Sequence, residues 1–326
     1  MTIRTFLEEA VSQTPEAPAQ KFFRESQWVT RSYAALKERV VCAASIAHLL
    51  EISPGVQNVA LMLDNCPEWQ EIYLALAGAG VAVVPLDPKL REPEVTHILK
   101  DSESVVIFAG AKLHDVLSQA IVKLPNLRAC VWVGEGESGA ANLAGLACYA
   151  YGKLVEHAAS ARDAARTWFE IHRPEEGSIA SIIYTSGTTG KPKGAMLTHG
   201  NFTSNVEGTV DLVGFYPTDN FLNVLPLFHS FSFTANFMLP LGIKGCCSFV
   251  RSLRTLSEDM LVLQPTVVLA VPLMAEKLYA RVAAKIKSSL VARGLLGIGF
   301  KSIISKKVIE SFGGQLRLLG IGGAPT

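Results

Sequence analysis

The sequence has almost no net charge, and this absence limits its partners. It contains 30 Lys and Arg residues against 29 Asp and Glu residues, a formal charge of +1 over 326 residues. Such a balance gives no long-range attraction for a polyanion. We therefore expect no nucleic-acid partner, and any bound anion must be held by local groups.

Cysteines with metal-binding or redox spacing are also missing. The six cysteines form no C-x-x-C pair and no Cys/His cluster with zinc spacing. This favours buried, reduced thiols over a zinc site or a disulfide framework. The first residues turn acidic and polar within ten positions, unlike a secretory signal peptide. We expect a cytoplasmic protein.

Long uncharged stretches are rare, and the composition of the longest one is not typical of a membrane-spanning helix. Residues 220–243 carry no charge but include Pro226, His229, Asn236 and Pro240, which a single spanning helix would accommodate poorly. With 49% hydrophobic against 18% charged residues, the chain reads as a well-buried globular protein. We expect 220–243 to be buried core.

Short apolar runs alternate with helical patterns along most of the chain. The predicted strands are 58–63, 81–86, 104–109, 129–133, 178–184, 221–225, 246–250, 266–270 and 316–321. The predicted helices are 67–79, 92–101, 112–123, 199–213, 252–263 and 272–292. This order predicts an α/β fold of mostly parallel sheets flanked by helices. Residues 134–177 are less regular, and we expect this region to carry a loop before the next strand.

A polar loop follows the strand predicted at 178–184. The string "YTSGTTGKPKGAML" places three glycines and four Ser/Thr hydroxyls in residues 185–194. Glycines let backbone N–H groups approach an anion closely, and lysine adds a mobile positive charge. The spacing is not that of a Walker loop, and G-x-G-x-x-G is absent. From these residues alone, a structural turn and an anion site are equally good interpretations.

Four segments together resemble one enzyme family. "YTSGTTGKPKGAMLTH" resembles the phosphate-loop signature of the adenylate-forming (AMP-binding) enzymes. "GAGVAVVPLDPKL", "LPLFHSFSFT" and "RLLGIGGAPT" resemble three further motifs of that family in the same order. The resemblance implies two stacked Rossmann-like subdomains, approximately 1–190 and 191–326, within an incomplete N-terminal domain.

The resemblance also implies the chemistry. Family members join a carboxylate to the α-phosphate of ATP, with Mg²⁺, and then pass the acyl group to CoA or an acyl carrier protein. It implies a catalytic role for Lys193 and His229, a substrate contact for His229 and Phe231, and a metal ligand in Thr188. The residues implied to bind nucleotide are Thr185, Ser186, Gly187, Thr188, Thr189, Gly190, Lys193, Gly322, Gly323 and Ala324.

Two regions bear on substrate and location. The segments "VPLMAEKLYARV" and "FGGQLRLLGIGGAP" resemble the long-chain fatty acyl branch, so a long-chain or medium-chain fatty acid is the preferred substrate class.

The stretch from Arg281 to Lys307 holds seven Lys and Arg residues and no Asp or Glu. One interpretation is an ordinary solvated helix face. The other is a contact surface for an acidic carrier protein or for the anionic inner face of a membrane.

The chain stops at Thr326, directly after the fourth motif. The resemblance places the ribose-binding aspartate, a later acidic motif and a mobile C-terminal domain beyond that point. We therefore expect either a fragment or an enzyme completed by a second polypeptide, with at most weak nucleotide binding and no useful turnover by itself. A non-catalytic nucleotide-binding or acyl-binding module remains the alternative.

Overall fold

The computed structural model describes residues 1–134, 136, 142–143, 145–160, 162–185, 191–276, 280 and 309–322. The strands are β1 (Pro18–Arg24), β2 (Gln27–Ser32), β3 (Asn58–Met62), β4 (Ala82–Pro85), β5 (Ser104–Gly110), β6 (Ala129–Val133), β7 (Ala147–Ala150), β8 (Ile179–Thr185), β9 (Lys193–Thr198), β10 (Asn220–Asn223), β11 (Cys246–Phe249), β12 (Val267–Ala270) and β13 (Leu318–Ile321). The α-helices are α1 (Ile3–Gln13), α2 (Tyr33–Leu49), α3 (Pro67–Gly78), α4 (Glu92–Asp101), α5 (His114–Ala120), α6 (Tyr151–Ser160), α7 (Arg162–Ile171), α8 (His199–Val213), α9 (Ser230–Phe233), α10 (Leu239–Gly242) and α11 (Leu256–Leu263).

The strands form two largely parallel sheets. One sheet has the order β13-β12-β10-β11-β1-β2, and the other has the order β7-β6-β5-β3-β4-β8-β9. The pairs β1–β2 and β8–β9 are antiparallel, and the other pairs are parallel. The predicted α/β class with mostly parallel sheets is confirmed. The sheets interleave along the chain, because β1 and β2 join the later strands; the subdomain limits at 190 and 191 stay a prediction.

The central strands are buried along their whole length. All four residues of β4, β10, β11 and β12 are buried, as expected for parallel strands covered on both faces. The uncharged stretch 220–243 is mostly core, with Phe233 and Met238 fully buried. Within the described part of the chain, no helix is both long and apolar enough to cross a membrane.

Several predicted elements differ from the structure. The region 134–177, predicted to be less regular and to carry a loop before the next strand, does have a loop over 172–178 before β8, but it also contains β7, α6 and α7. Trp168 and Phe169 of α7 are buried, and this burial stabilises a helix that the composition did not indicate. The helix predicted over 112–123 is interrupted: α5 lies between two 3₁₀ turns, Ala111–Leu113 and Ile121–Lys123. The helix predicted over 272–292 lies largely outside the described residues.

Helix α3 is the layer between the two sheets. All twelve of its residues are buried, and its polar side chains, Glu68, Gln70 and Glu71, are hydrogen-bonded, as buried polar groups normally are. The Tyr73 hydroxyl lies 2.8 Å from Ser181 Oγ on β8. From the same helix, the side-chain amide of Gln70 donates to Cys247 Sγ on β11, at 3.2 Å. The helix therefore fixes one sheet relative to the other.

A buried carboxylate strengthens the same layer. The Glu71 side chain is fully buried, and it accepts hydrogen bonds from Arg31 at 2.6 Å and Arg39 at 3.0 Å. Tyr151 of α6 donates to it as well, at 3.1 Å. A buried charge with several charge-assisted partners is costly to leave unpaired. Glu71 therefore ties β2, α2 and α6 to α3.

A buried histidine makes the fold sensitive to acid. His199, the first residue of α8, is fully buried, and its Nδ1 accepts a hydrogen bond from the Ile3 N–H at 3.3 Å. Burial, together with the nearby N-terminal ammonium group, lowers the pKa of His199 from 6.5 to about 4. The unfolded chain therefore binds one more proton than the folded chain between these values.

We predict that the free energy of unfolding is unaffected by His199 above pH 6.5 and falls as the pH drops from 6.5 to about 4. The lost stability is on the order of 3 kcal/mol, from 1.36 kcal/mol for each pKa unit. Denaturant unfolding at several pH values measures it. His199→Gln, which keeps an acceptor for Ile3, should lose this part of the slope; an unchanged slope in the variant would contradict the prediction.

Candidate active site

The carboxyl ends of the strands in both sheets face one crevice. In open α/β sheets, ligands bind outside these ends, where the strand order reverses. The order reverses at β3, which has β4 on one side and β5 on the other, and again at β10, which lies between β11 and β12. The segments after β3 and β10 touch, because Asn65 donates a hydrogen bond to Asn223 Oδ1 at 2.8 Å. The two reversal points therefore meet.

The predicted phosphate loop leaves the carboxyl end of β8, at the same edge as β3 and β4. Its two stems are paired, since Thr185 lies opposite Lys193 in the β8–β9 register. Both of these residues are exposed. Gly194 lets β9 pack closely against β8: a Cβ there would lie 2.7 Å from Ile182 Cγ2. The stems thus place a hydroxyl and an ammonium group together at the mouth of the loop.

Helix α4 holds both stems of this loop. On one side, the Tyr184 hydroxyl donates to the Asp101 carboxylate at 2.6 Å. On the other side, the Pro192 carbonyl accepts from His97 Nε2 at 2.9 Å. His97 and Asp101 are four residues apart and lie on one face of the helix. Burial, together with the Asp101 hydrogen bond, raises the pKa of Tyr184, so the hydroxyl remains a donor at neutral pH.

The "LPLFH" segment forms a turn between β10 and α9. His229 caps α9, and its carbonyl accepts the Phe233 N–H at 2.8 Å. The imidazole is exposed and lies beside the Phe228 ring, with 4.3 Å between the ring centroids. The histidine side chain is therefore exposed beside Phe228, which lines the cleft described below.

Phe231 and Gly322 come from separate motifs and lie in contact. A Cβ on Gly322 would be 3.0 Å from two atoms of the Phe231 ring, so a larger residue would displace the ring. Gly322 directly follows β13, and its N–H donates to the Ala270 carbonyl at 3.1 Å. The glycine thus gives the ring room at the end of the sheet.

A cleft of about 190 Å³ lies between the two edges. Its polar lining comes from both sheets, since Asp64, Asn65, Asp87 and Lys89 follow strands of one sheet and Asn223 and Ser252 lie at strand ends of the other. Asp64 forms an ion pair with Lys112, and Asp87 accepts the Lys89 N–H at 2.8 Å. None of the sequence motifs indicated Asn65.

Several predicted site residues lie outside the described residues. They are Ser186, Gly187, Thr188, Thr189, Gly190, Gly323, Ala324 and the cationic stretch from Arg281 to Lys307. Among the described site residues, the structure brings together Thr185 with Lys193, and Phe231 with Gly322. The described contacts do not join one pair to the other, so a shared role in catalysis stays a prediction.

The predicted magnesium ligand, Thr188, falls in the part that is not described. Among the described residues, no group of three or more His, Cys, Asp or Glu side chains could hold a metal ion. The described residues therefore offer no magnesium site made of protein ligands alone.

Comparisons with known proteins agree on one family. Residues 7–326 match the family described as AMP-binding enzyme. The peroxisomal long chain acyl-CoA synthetase 7 of Arabidopsis thaliana is 28% identical over 325 residues, covering 92% of this chain and 45% of the relative. A chloroplastic long-chain-fatty-acid–[acyl-carrier-protein] ligase of the same plant is 26% identical over 275 residues, covering 82% and 37%.

Solved structures share the fold. The adenylation domain of a carboxylate reductase from Mycobacterium chelonae superposes with a TM-score of 0.80 at 20% identity, covering 100% of this chain and 54% of that chain. At this identity the similarity shows the fold alone. The chain spans about half the length of the curated relatives it matches, since it covers 45% of the first.

We predict that Tyr184 and Asp101 are energetically coupled. A neutral donor to a carboxylate in a partly exposed position contributes about 1 kcal/mol. A double-mutant cycle of Tyr184→Phe and Asp101→Ala, followed by the free energy of unfolding in denaturant, should give a coupling of about that size. As a control, the same cycle pairs Asp101→Ala with Tyr149→Phe. Tyr149 lies on β7, the terminal strand on the other side of the same sheet. A coupling near zero for Tyr184 and Asp101 would contradict the assignment of α4 as the support of the loop.

Proposed function

Because the chain belongs to the AMP-binding enzyme family, we propose that it activates a carboxylic acid with ATP and then forms a thioester. The strongest support is that the carboxyl ends of the strands of the two sheets meet at Asn65 and Asn223. The loop stems belong to strands of one sheet, and His229 and Gly322 follow strands of the other. Since the chain spans 45% of the first relative and 37% of the second, the activity is proposed for the full-length gene product.

The first step is a displacement at phosphorus. A carboxylate oxygen attacks the α-phosphate of ATP, the bond to the bridging oxygen of pyrophosphate breaks, and pyrophosphate leaves with the electron pair. The carboxylate is already an anion, so no general base is required. The barrier is repulsion: like charges 4 Å apart repel by ~4 kcal/mol at an effective dielectric constant of 20. The site must offset this repulsion and align the attack.

Lys193 is the described residue suited to that task. Its ammonium group stands at the start of β9, opposite Thr185, at the mouth of the loop. We assign to Lys193 the stabilisation of charge on the phosphates, and to Thr185, together with Ser186, Gly187, Thr189 and Gly190, their hydrogen bonding. Thr188 is the proposed ligand of the Mg²⁺ that arrives with the triphosphate.

The opposite edge is assigned to the acid and the adenine. His229 is proposed to position the carboxylate, without proton transfer, because its exposed imidazole stands at the crevice. Phe231 is proposed to border the acyl group. Gly322, with Gly323 and Ala324, is proposed to lie against the adenine, where larger side chains would collide with the base.

The second step transfers the acyl group to sulfur. The thiol of CoA or of an acyl carrier protein attacks the acyl carbon, AMP leaves, and the thiol proton passes to solvent. Relatives of this chain are named as ligases for each of the two acceptors. We propose a long-chain or medium-chain fatty acid as the substrate. A cytoplasmic location is part of the proposal, with the stretch from Arg281 to Lys307 as the contact for the carrier protein or a membrane surface.

We predict that Lys193→Ala lowers the rate of ATP–pyrophosphate exchange in the full-length gene product by about 10²- to 10³-fold. The reason is the loss of a positive charge from the transition state, while the hairpin stems keep their backbone pairing. Exchange is measured over a panel of straight-chain carboxylates of increasing length.

Lys191→Ala is the matched control, since Lys191 is also exposed and lies two positions before Lys193. Exchange within about threefold of wild type is expected for it. Equal losses in both variants would argue for a non-specific charge effect. A wild-type protein that binds ATP but exchanges no pyrophosphate with any acid would favour the non-catalytic module.

A further inference from the structure

Asn65 connects the two sheets at the crevice. It lies three residues after the end of β3, and its side-chain nitrogen donates to Asn223 Oδ1 at 2.8 Å and to the Leu225 carbonyl at 2.7 Å. Its side-chain oxygen accepts the Leu227 N–H at 2.9 Å. The side chain that follows β3 of one sheet thus makes three hydrogen bonds to the other sheet, one to the last residue of β10 and two to the segment that follows it.

These three partners fix the orientation of the amide. Two acceptors lie beside its nitrogen, which has two hydrogens to donate, and one backbone donor lies beside its oxygen. A rotated amide would place an oxygen against two acceptors. The arrangement therefore favours asparagine over aspartate, which would place a second oxygen against Asn223 and Leu225 while keeping the acceptor for Leu227.

The groups behind Asn65 are fixed as well. Asn223 Nδ2 donates to Cys247 Sγ at 3.5 Å, and that thiol donates to the Asn236 carbonyl at 3.2 Å. Burial raises the pKa of the Cys247 thiol to about 12, so it keeps its proton at neutral pH. The Leu225 carbonyl also accepts from Ser232 Oγ, at 2.8 Å. The turn is therefore held from both ends.

The contacts of Asn65 end two residues before His229. The Leu227 N–H is fixed by Asn65, and the next turn bond runs from the His229 N–H to the Pro226 carbonyl at 3.3 Å. His229 is the N-cap of α9, which begins at Ser230. The position of the imidazole thus depends on a turn that a side chain of the other sheet holds in place.

We propose that Asn65 is a positioning residue that holds the 225–229 turn so that His229 meets the carboxylate of the acid. This inference rests on the proposed function for the role of His229, although the anchoring of the turn does not. The substrate is touched by His229, and Asn65 acts through the backbone of the turn.

The anchor is tested without any substrate, by hydrogen exchange of the full-length gene product. Asn65→Ala should increase the exchange rate of the Leu227 amide at least about fivefold, because the amide loses its acceptor. Asn58→Ala is the matched control. Asn58 is the first residue of β3, and its side chain donates to the Ser102 carbonyl at 2.8 Å, at the end of the strand opposite to Asn65. It should leave exchange at 224–230 unchanged.

The positioning role is tested by kinetics. In ATP–pyrophosphate exchange, Asn65→Asp should raise the KM for the acid, or lower kcat, by about tenfold or more, because a shifted turn misplaces His229. The KM for ATP should stay within about twofold. Asn65→Asp retains an acceptor for Leu227, so it provides a second variant if Asn65→Ala does not fold.

The outcomes are separable. Unchanged exchange at Leu227 in Asn65→Ala overturns the anchor, and equal changes in the parameters for acid and ATP, or none, overturn the positioning role. A wild-type enzyme that is inactive with every acid overturns the proposed function instead. In that case hydrogen exchange still decides whether Asn65 holds the turn.

Discussion

The arrangement of the site depends on one contact, the meeting of the two sheets at their carboxyl edges through Asn65. The strand order of the seven-stranded sheet reverses at β3, and that of the six-stranded sheet reverses at β10. In open α/β sheets, a crevice lies at each such reversal. Because a side chain after β3 donates directly to Asn223 at the end of β10, the two crevices become one. Groups from distant parts of the chain can then act on a single ligand.

The contact at Asn65 is supported by the layer behind it. Helix α3 begins two residues later, is buried throughout, and bonds to both sheets through Gln70 and Tyr73. Trp69 and Tyr73 pack against Phe233, the last residue of α9, with ring centroids 5.8 and 4.8 Å apart. Close-packed aromatic layers resist sliding, so the helix that follows His229 is fixed on its inner face while the imidazole remains exposed.

The sequence predicted the sheets better than the site. Runs of apolar residues located β3, β6 and β12 to within a residue or two, because a strand that is covered on both faces must be apolar throughout. The β1–β2 hairpin escaped this reasoning, since its burial is mixed and its parallel partner, β11, is more than 200 residues away. Motifs indicated Lys193 and His229, but Asn65 is one polar residue in a turn, and its three partners follow only from the packing of the sheets.

The most direct test of the central claim is a crystal structure of the protein with AMP and a fatty acid. We predict that the adenine lies beside Gly322, the phosphate beside Thr185 and Lys193, and the carboxylate beside His229, all in the crevice that Asn65 spans. Nucleotide bound at another surface, with the Thr185–Lys193 stems facing solvent, would contradict the account and leave only the α/β architecture.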